Sequence, residues 1–127
     1  MASLNKVSLI GYLGNDPESQ FLPSGSQVVK FSLATTENWK DKVGEWQKRT
    51  EWHNVLAFNK LAELCTEYLK KGALVYVEGK IQYRSWDDKD GVKKYRTEIL
   101  INTMKMLDKK KGNDVSGADP EDSEVPF

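Results

Sequence analysis

The amino-acid sequence predicts an all-β fold: a five-stranded Greek-key barrel with one short helix between the third and fourth strands. Three observations predict it. Five separate stretches are apolar-rich or alternate apolar and polar residues, the pattern of half-buried strands. One stretch alone spaces its apolar residues at i, i+3, i+4 and i+7. Clusters of Gly, Pro, Asn and Asp fall between these stretches. At 127 residues, one domain is expected.

The first strand runs from Val7 to Leu13 and stops at the turn Gly14-Asn15-Asp16-Pro17. Pro23-Ser24-Gly25-Ser26 is a second turn. Val28 to Thr35 is the next strand, with Val29, Phe31 and Leu33 on one face. Residues 37–49 are polar and charged around Gly44 and read as a long loop or a hairpin. Thr50 to Phe58 alternates again. Trp52, Asn54, Leu56 and Phe58 project from one face, His53, Val55 and Ala57 from the other. Both faces carry apolar residues, so periodicity leaves the core face open. Asn59 is the expected helix N-cap. Leu61, Leu64, Cys65 and Tyr68 form the apolar stripe of the helix. Lys70-Lys71-Gly72 is expected to close it, with cations at its negative end and Gly72 as C′. Leu74 to Trp86 is the fourth strand. Val75, Val77, Gly79 and Ile81 share one face, and Glu78, Lys80, Gln82, Arg84 and Trp86 the other. Asp87-Asp88-Lys89-Asp90-Gly91 is a hairpin turn, and Tyr95 to Met106 is the last strand. Three strands, a helix and two strands is the order of the OB barrel, although order alone leaves other small β barrels open. From Asp108 onward no periodicity remains, and disorder is expected. The expected organisation is a binding and oligomerisation barrel over 1–108, a short linker over 109–118 and an acidic tip over 119–127.

Charge separates along the chain. Residues 1–111 hold all nineteen Lys and Arg with fourteen Asp and Glu, so 19 − 14 = +5; residues 112–127 hold five acids and no base, so −5. A basic body and an acidic arm suggest an anionic ligand for one and a basic partner for the other. No apolar run approaches the roughly 18 residues of a membrane span. The N-terminus lacks the regions of a signal peptide, so a cytoplasmic protein is expected. One cysteine, Cys65, allows no disulfide within the chain, and with His53 it makes no ordinary zinc site. Walker, GxGxxG and HExxH motifs are absent from the sequence. These absences weaken an enzymatic reading without excluding it, and no metal or cofactor is expected.

Four tryptophans point to the ligand. Trp39 has only Glu37, Asn38, Lys40, Asp41 and Lys42 around it and should be exposed. Trp46 lies in similar company, where a hairpin could give it a partner. Trp86 shares a face with Lys80, Gln82 and Arg84. Aromatic rings interleaved with cations suit single-stranded nucleic acid, whose bases stack while Lys and Arg follow the phosphates. Duplex readers need a helix in a groove or an array of donors, and the one helix here is short.

Asn5-Lys6-Val7, Gly11-Tyr12-Leu13-Gly14, Asp16-Pro17-Glu18, Thr50-Glu51-Trp52-His53, Lys60-Leu61-Ala62-Glu63, Tyr68-Leu69-Lys70-Lys71-Gly72 and Val77-Glu78-Gly79-Lys80 stand in one order. In that order the chain resembles the bacterial single-stranded DNA-binding proteins. Its last residues, Ser123 to Phe127, resemble that family's acidic tip ending in Pro-Phe. The resemblance implies an OB fold, a homotetramer, no catalysis and sequence-tolerant binding of single-stranded DNA during replication, recombination and repair. It places the base-stacking aromatics at Trp39, Trp52, Phe58 and Trp86, and phosphate contacts at Lys6, Lys42, Lys60, Lys71 and Arg84. It places subunit contacts at Lys6, Leu9, His53 and Tyr76. Asp122, Glu124, Val125, Pro126 and Phe127 become the tip that recruits DNA-processing partners. A nucleoid-associated protein, bacterial or encoded by a phage or plasmid, is implied. The chain departs from the family in two places. Asn54 stands where a basic residue often follows Trp-His. The stretch 109–118 is much shorter than the Gly- and Gln-rich linkers of many members. Three other readings remain: an RNA-binding OB protein, a metal-dependent hydrolase using Asp87, Asp88 and Asp90, and a protein-only adaptor. The hydrolase lacks clustered ligands, and the adaptor leaves the exposed tryptophans unexplained.

Overall fold

Alternating side chains carry Val7–Leu13 (β1) into the molecule on one face and out to solvent on the other. The computed structural model describes residues 2–107. After β1 come β2 (Glu18–Phe21), β3 (Gln27–Lys40), β4 (Trp46–Phe58), α1 (Asn59–Tyr68), β5 (Leu74–Asp87) and β6 (Lys93–Met106). The strands pair in the order β1-β5-β6-β4-β3-β2, and β1 also pairs with β3. That extra pairing closes a ring of five strands with the expected Greek-key connectivity, an OB barrel. The helix stands between the third and fourth strands of the ring. All ladders are antiparallel except β4–β6, where Val55 lies opposite Ile99.

The inner faces meet in one core. Val29, Leu33, Val55, Ala57, Val75 and Val77 are completely buried. β4 therefore turns Val55 and Ala57 inward and leaves Trp52, Asn54 and Phe58 on the exposed side. α1 seals the barrel with Ala62, Cys65 and Leu69. Burial pushes the Cys65 thiol up to about 11, so it stays an uncharged apolar filler. At Gly79 the sheet folds tightly enough that a methyl group would collide with the backbone of Leu100, and the β5–β6 register shifts beside it.

Several expectations need correction. β2 is a sixth strand outside the ring, paired only with β3, where the sequence showed only turns. All four of its residues are exposed, so no alternation marks it. Of the two readings of 37–49, the hairpin holds: β3 and β4 stay paired from Val28↔Phe58 out to Lys40↔Trp46. Asn59 is not the N-cap. Phe58 holds that position without a side-chain cap, and Asn59 takes φ 54°, a left-handed turn that Asn tolerates. Gly72 is not C′ either; the helix stops at Leu69, and Gly72 sits in the following turn, donating its N–H to Leu13 O at 2.9 Å. The inner helix stripe runs through Ala62, Cys65 and Leu69, leaving Tyr68 exposed.

Two hairpin arms leave the barrel, β3–β4 and β5–β6, and they share one turn. Asp41-Lys42-Val43-Gly44-Glu45 and Asp88-Lys89-Asp90-Gly91-Val92 share the pattern Asp-Lys-x-Gly-x. In each the Asp carboxylate accepts two backbone N–H bonds, from Val43 and Glu45 at 3.0 and 2.9 Å, and from Asp90 and Val92 at 2.9 Å each. Each Gly takes a positive φ, 86° and 80°, which a Cβ would strain.

Candidate nucleic-acid interface

Four hollows on the barrel are linked by shared lining residues into a track. Near its start, Trp52 and His53 share a hollow of about 360 Å³ with Asn54, Tyr95 and Arg96. Asn54 and Arg96 also line the next hollow, beside Lys30, Ser32 and Glu98. Lys30 and Glu98 pass into a third, of about 390 Å³, with Leu56, Phe58 and Arg84. Phe58 then borders a fourth, of about 670 Å³, which reaches Lys6 and Lys80. The shared residues link an aromatic at one end to an aromatic at the other, with cations between.

The turn after β1 builds the first end. A methyl group at Gly14 would collide with the ring of Trp52, so the missing side chain gives that ring its seat. Asn15 Oδ1 accepts the N–H and the hydroxyl of Ser32, both at 2.9 Å. Asp16 accepts the backbone N–H of Lys71 at 2.9 Å, bringing the turn after α1 to the same corner. Trp52 stays 59% exposed there.

The arms carry the other rings. Trp39 is 42% exposed and Trp86 40%, against 36% for Phe58. Each leaves part of its ring open to solvent, which a base needs from a stacking partner. Trp46 is 68% exposed and lies across the hairpin from Lys40, whose Nζ is 5.6 Å from the ring centroid.

The cations divide into free and paired. Lys42, Lys60 and Lys71 are exposed. Lys6 is bound to Glu78 at 3.1 Å, and Tyr76 donates to the same carboxylate at 3.1 Å. Lys6 first, then Tyr76, holds the Glu78 carboxyl below the usual range. Arg84 is committed more fully. Its Nε and Nη2 bind the two oxygens of Glu98 at 3.2 and 2.7 Å. Glu98 is buried, and Arg84 above all, with help from Gln82 and Arg96, keeps its carboxyl below the usual range.

The four expected subunit-contact residues do not form one patch. Tyr76 sits on the outer face of β5, beside the Lys6–Glu78 pair. Leu9 is partly buried against the core, and Ile10 lies opposite Tyr76 on the neighbouring strand. His53 sits on β4, its Nε2 2.9 Å from Thr35 Oγ1. Asp122, Glu124, Val125, Pro126, Phe127 and the linker lie outside the described residues. Sequence reasoning missed Lys30, Arg96, Tyr95 and Glu98. Counting outward from the Asp88–Val92 turn sets Arg96 opposite Arg84, and Glu98 opposite Gln82. Among the described residues, no three His, Cys, Asp or Glu come together as a metal site, and no helix is long and apolar enough to cross a membrane.

The chain is an OB barrel whose exposed aromatics and cations line linked hollows. The chain belongs to the single-strand binding protein family, whose model matches residues 4–107. It is 59% identical over 105 residues to single-stranded DNA-binding protein 1 of Chlorobaculum tepidum, covering 82% of this chain and 65% of that protein. It is 51% identical over 118 residues to the single-stranded DNA-binding protein of Neisseria meningitidis, covering 93% of this chain and 67% of that one. The chain thus spans about two thirds of those relatives' length. Its fold matches the Plasmodium falciparum SSB in complex with ssDNA with TM-score 0.78 at 36% identity, covering 85% of this chain and 98% of that one.

Proposed function

We propose that this protein binds single-stranded DNA with little sequence preference. Bases stack on Trp39, Trp52, Phe58 and Trp86. Phosphates follow Lys42, Lys60 and Lys71, together with Lys30 and Arg96 in the track. Lys6, bound to Glu78, contributes at the far end by exchanging partners. The carrying observation is the series of linked hollows from Trp52 to Phe58, which brings exposed rings and cations together. Every base has a π-face, so such a track tolerates sequence. Four copies assemble, each adding one track to a longer path, with Tyr76, Lys6 and His53 at contacts between copies. The tip, Asp122 to Phe127, docks its terminal ring and carboxylate on replication, recombination and repair proteins. The work is binding and recruitment, with no bond made or broken.

Titration with oligo(dT) of several lengths tests this reading, following tryptophan fluorescence and mass together. Strong quenching and a particle of about 58 kDa, four times 14.5 kDa, are expected. Matched oligo(U) separates DNA from RNA binding. Absence of quenching at any length would sink the stacking track. Removing Val125-Pro126-Phe127 should abolish partner capture and leave DNA affinity almost unchanged.

A further inference from the structure

A buried carboxylate in the middle of a track for a polyanion is unexpected. Glu98 is 1% exposed and lines two of the hollows between Trp52 and Phe58. Its desolvation is unfavourable, and its charge opposes phosphate. The hairpin does not need it. The β3–β4 arm has the same turn, and no ion pair with a buried partner is present there among the described residues.

What Glu98 does is fix Arg84. Both carboxylate oxygens are taken by the guanidinium in a two-point fork, which sets the plane of that group as well as its place. The Trp86 ring packs against this guanidinium, 5.0 Å from its centroid to the Arg84 Cζ. Arg84 thus has its hydrogen bonds directed to Glu98 while it supports the ring. We propose that Glu98 is a positioning residue for base stacking: through Arg84 it holds Trp86 open to a base. Arg84 serves as the backing of that ring rather than as a phosphate contact. This rests on the single-stranded DNA reading above.

The charge balance makes the proposal sharp. Glu98→Gln keeps the side-chain shape and makes the track more positive by one charge. Charge alone therefore predicts tighter binding with Trp86 stacking unaltered. Positioning predicts that Arg84 is released, that Trp86 loses its backing and that stacking fails. The freed guanidinium would meet one more phosphate and steepen the log K against log salt slope by about 0.7.

The test uses the full chain with Trp39→Phe, Trp46→Phe and Trp52→Phe, so that Trp86 alone reports. Oligo(dT) should quench Trp86 strongly in this parent. With Glu98→Gln added, saturating quenching should fall to less than half of the parent's. Affinity at about 0.3 M salt, where screening is strong, should drop about fivefold or more, the low end for one stacked base. Arg84→Lys, which keeps the charge but loses the fork, should lose the quenching too and covers the case of a Glu98→Gln chain that does not fold. Quenching retained at the parent level in either folded variant overturns the proposal, whatever the affinity does. A parent that binds oligo(dT) without Trp86 quenching removes stacking at Trp86, and this proposal with it, but leaves the rest of the track standing. A parent that does not bind at all overturns the DNA reading itself.

Discussion

The β3–β4 and β5–β6 arms are the same device with different roots. Both end in an Asp-Lys-x-Gly-x turn, and both carry a tryptophan held open to solvent, Trp39 on one and Trp86 on the other. The β5–β6 arm is braced across its own strands, at its root, by Arg84 and the buried Glu98. The β3–β4 arm is joined across its strands by Thr36 and Thr50 at 3.1 Å. Its ion pair, Arg49 to Glu51 at 3.0 Å, is exposed and lies within one strand. Exposed pairs of that kind contribute little. Hairpin formation therefore depends on the turn and the ladder, while the root decides how firmly a ring is held. Under the role proposed for Glu98, the β5–β6 arm presents a fixed platform and the β3–β4 arm an adaptable one.

The largest expected effects concern the two rings. Trp39→Ala and Trp86→Ala should each weaken oligo(dT) binding by about 1–3 kcal/mol, the range for one stacked base. Isothermal titration at fixed salt measures both. The comparison is sharpened by adding Glu98→Gln to each. Trp86→Ala should then add little further loss, because the platform is already gone. Trp39→Ala should add its full loss, because its arm does not use that root. Equal further losses in the two backgrounds would erase the distinction between the arms.

Next come the turns. Gly44→Ala and Gly91→Ala place a Cβ at φ 86° and φ 80°. Each should cost about 1–2 kcal/mol of stability, read as the midpoint of urea unfolding. If the turns are truly one device, the two losses should agree within about 0.5 kcal/mol. A much smaller loss at Gly44 would show that the β3–β4 tip relaxes where the other cannot.

How much of this was legible in the sequence depended on whether a feature is local. The Asp88–Val92 turn was readable within one residue because Asp and Gly each have a local backbone reason to be there. The core strands were readable because Val75 and Val77 must alternate to reach the core. β2 was not, since Glu18, Ser19, Gln20 and Phe21 bury nothing. Asn59 was read as a cap because Asn commonly caps, but the sharp corner after Phe58 needed its left-handed backbone instead. For the site, composition pointed to the exposed rings, whereas Arg84 was read as a free cation. Only the β5–β6 register shows that a buried acid has already claimed it.

Acid should separate the arms by a smaller amount. Glu98 titrates below the usual carboxylate range because Arg84 binds its charged form. A depressed folded value means that its stabilisation is present above about pH 4.3, the ordinary Glu value, and is lost as pH falls through the folded value. In urea unfolding, wild type should lose stability between pH 7 and pH 3 faster than Glu98→Gln. Other carboxylates, Asp41 and Glu78 among them, titrate in both proteins and cancel in the difference. A wild-type-minus-variant difference that stays constant with pH would remove the root pair as the distinguishing element.

The smallest effect should come from the tips, and it separates them by charge. Residues 40–45 carry Lys40 and Lys42 against Asp41 and Glu45, so 2 − 2 = 0. Residues 87–92 carry Lys89 against Asp87, Asp88 and Asp90, so 1 − 3 = −2. Lys42 and Lys89 hold the same place in the same turn, yet a phosphate approaching Lys89 meets three carboxylates. In addition, Asp88 already pairs with Lys94 at 3.7 Å, which draws a second cation toward the arm rather than the strand. The β5–β6 arm should therefore touch DNA along its strands, at Trp86 and Arg96, and not at its turn, while the β3–β4 arm can follow the strand to its tip. Lys42→Ala should flatten the log K against log salt slope by up to about 0.7, one phosphate. Lys89→Ala should leave the slope within error of wild type, because no phosphate is held there to release. Binding isotherms between about 0.05 and 0.3 M salt resolve the two, since the Debye length shrinks across that range. A Lys89→Ala slope as flat as that of Lys42→Ala would mean that tip charge does not govern contact, and that both arms lie along the strand for their whole length.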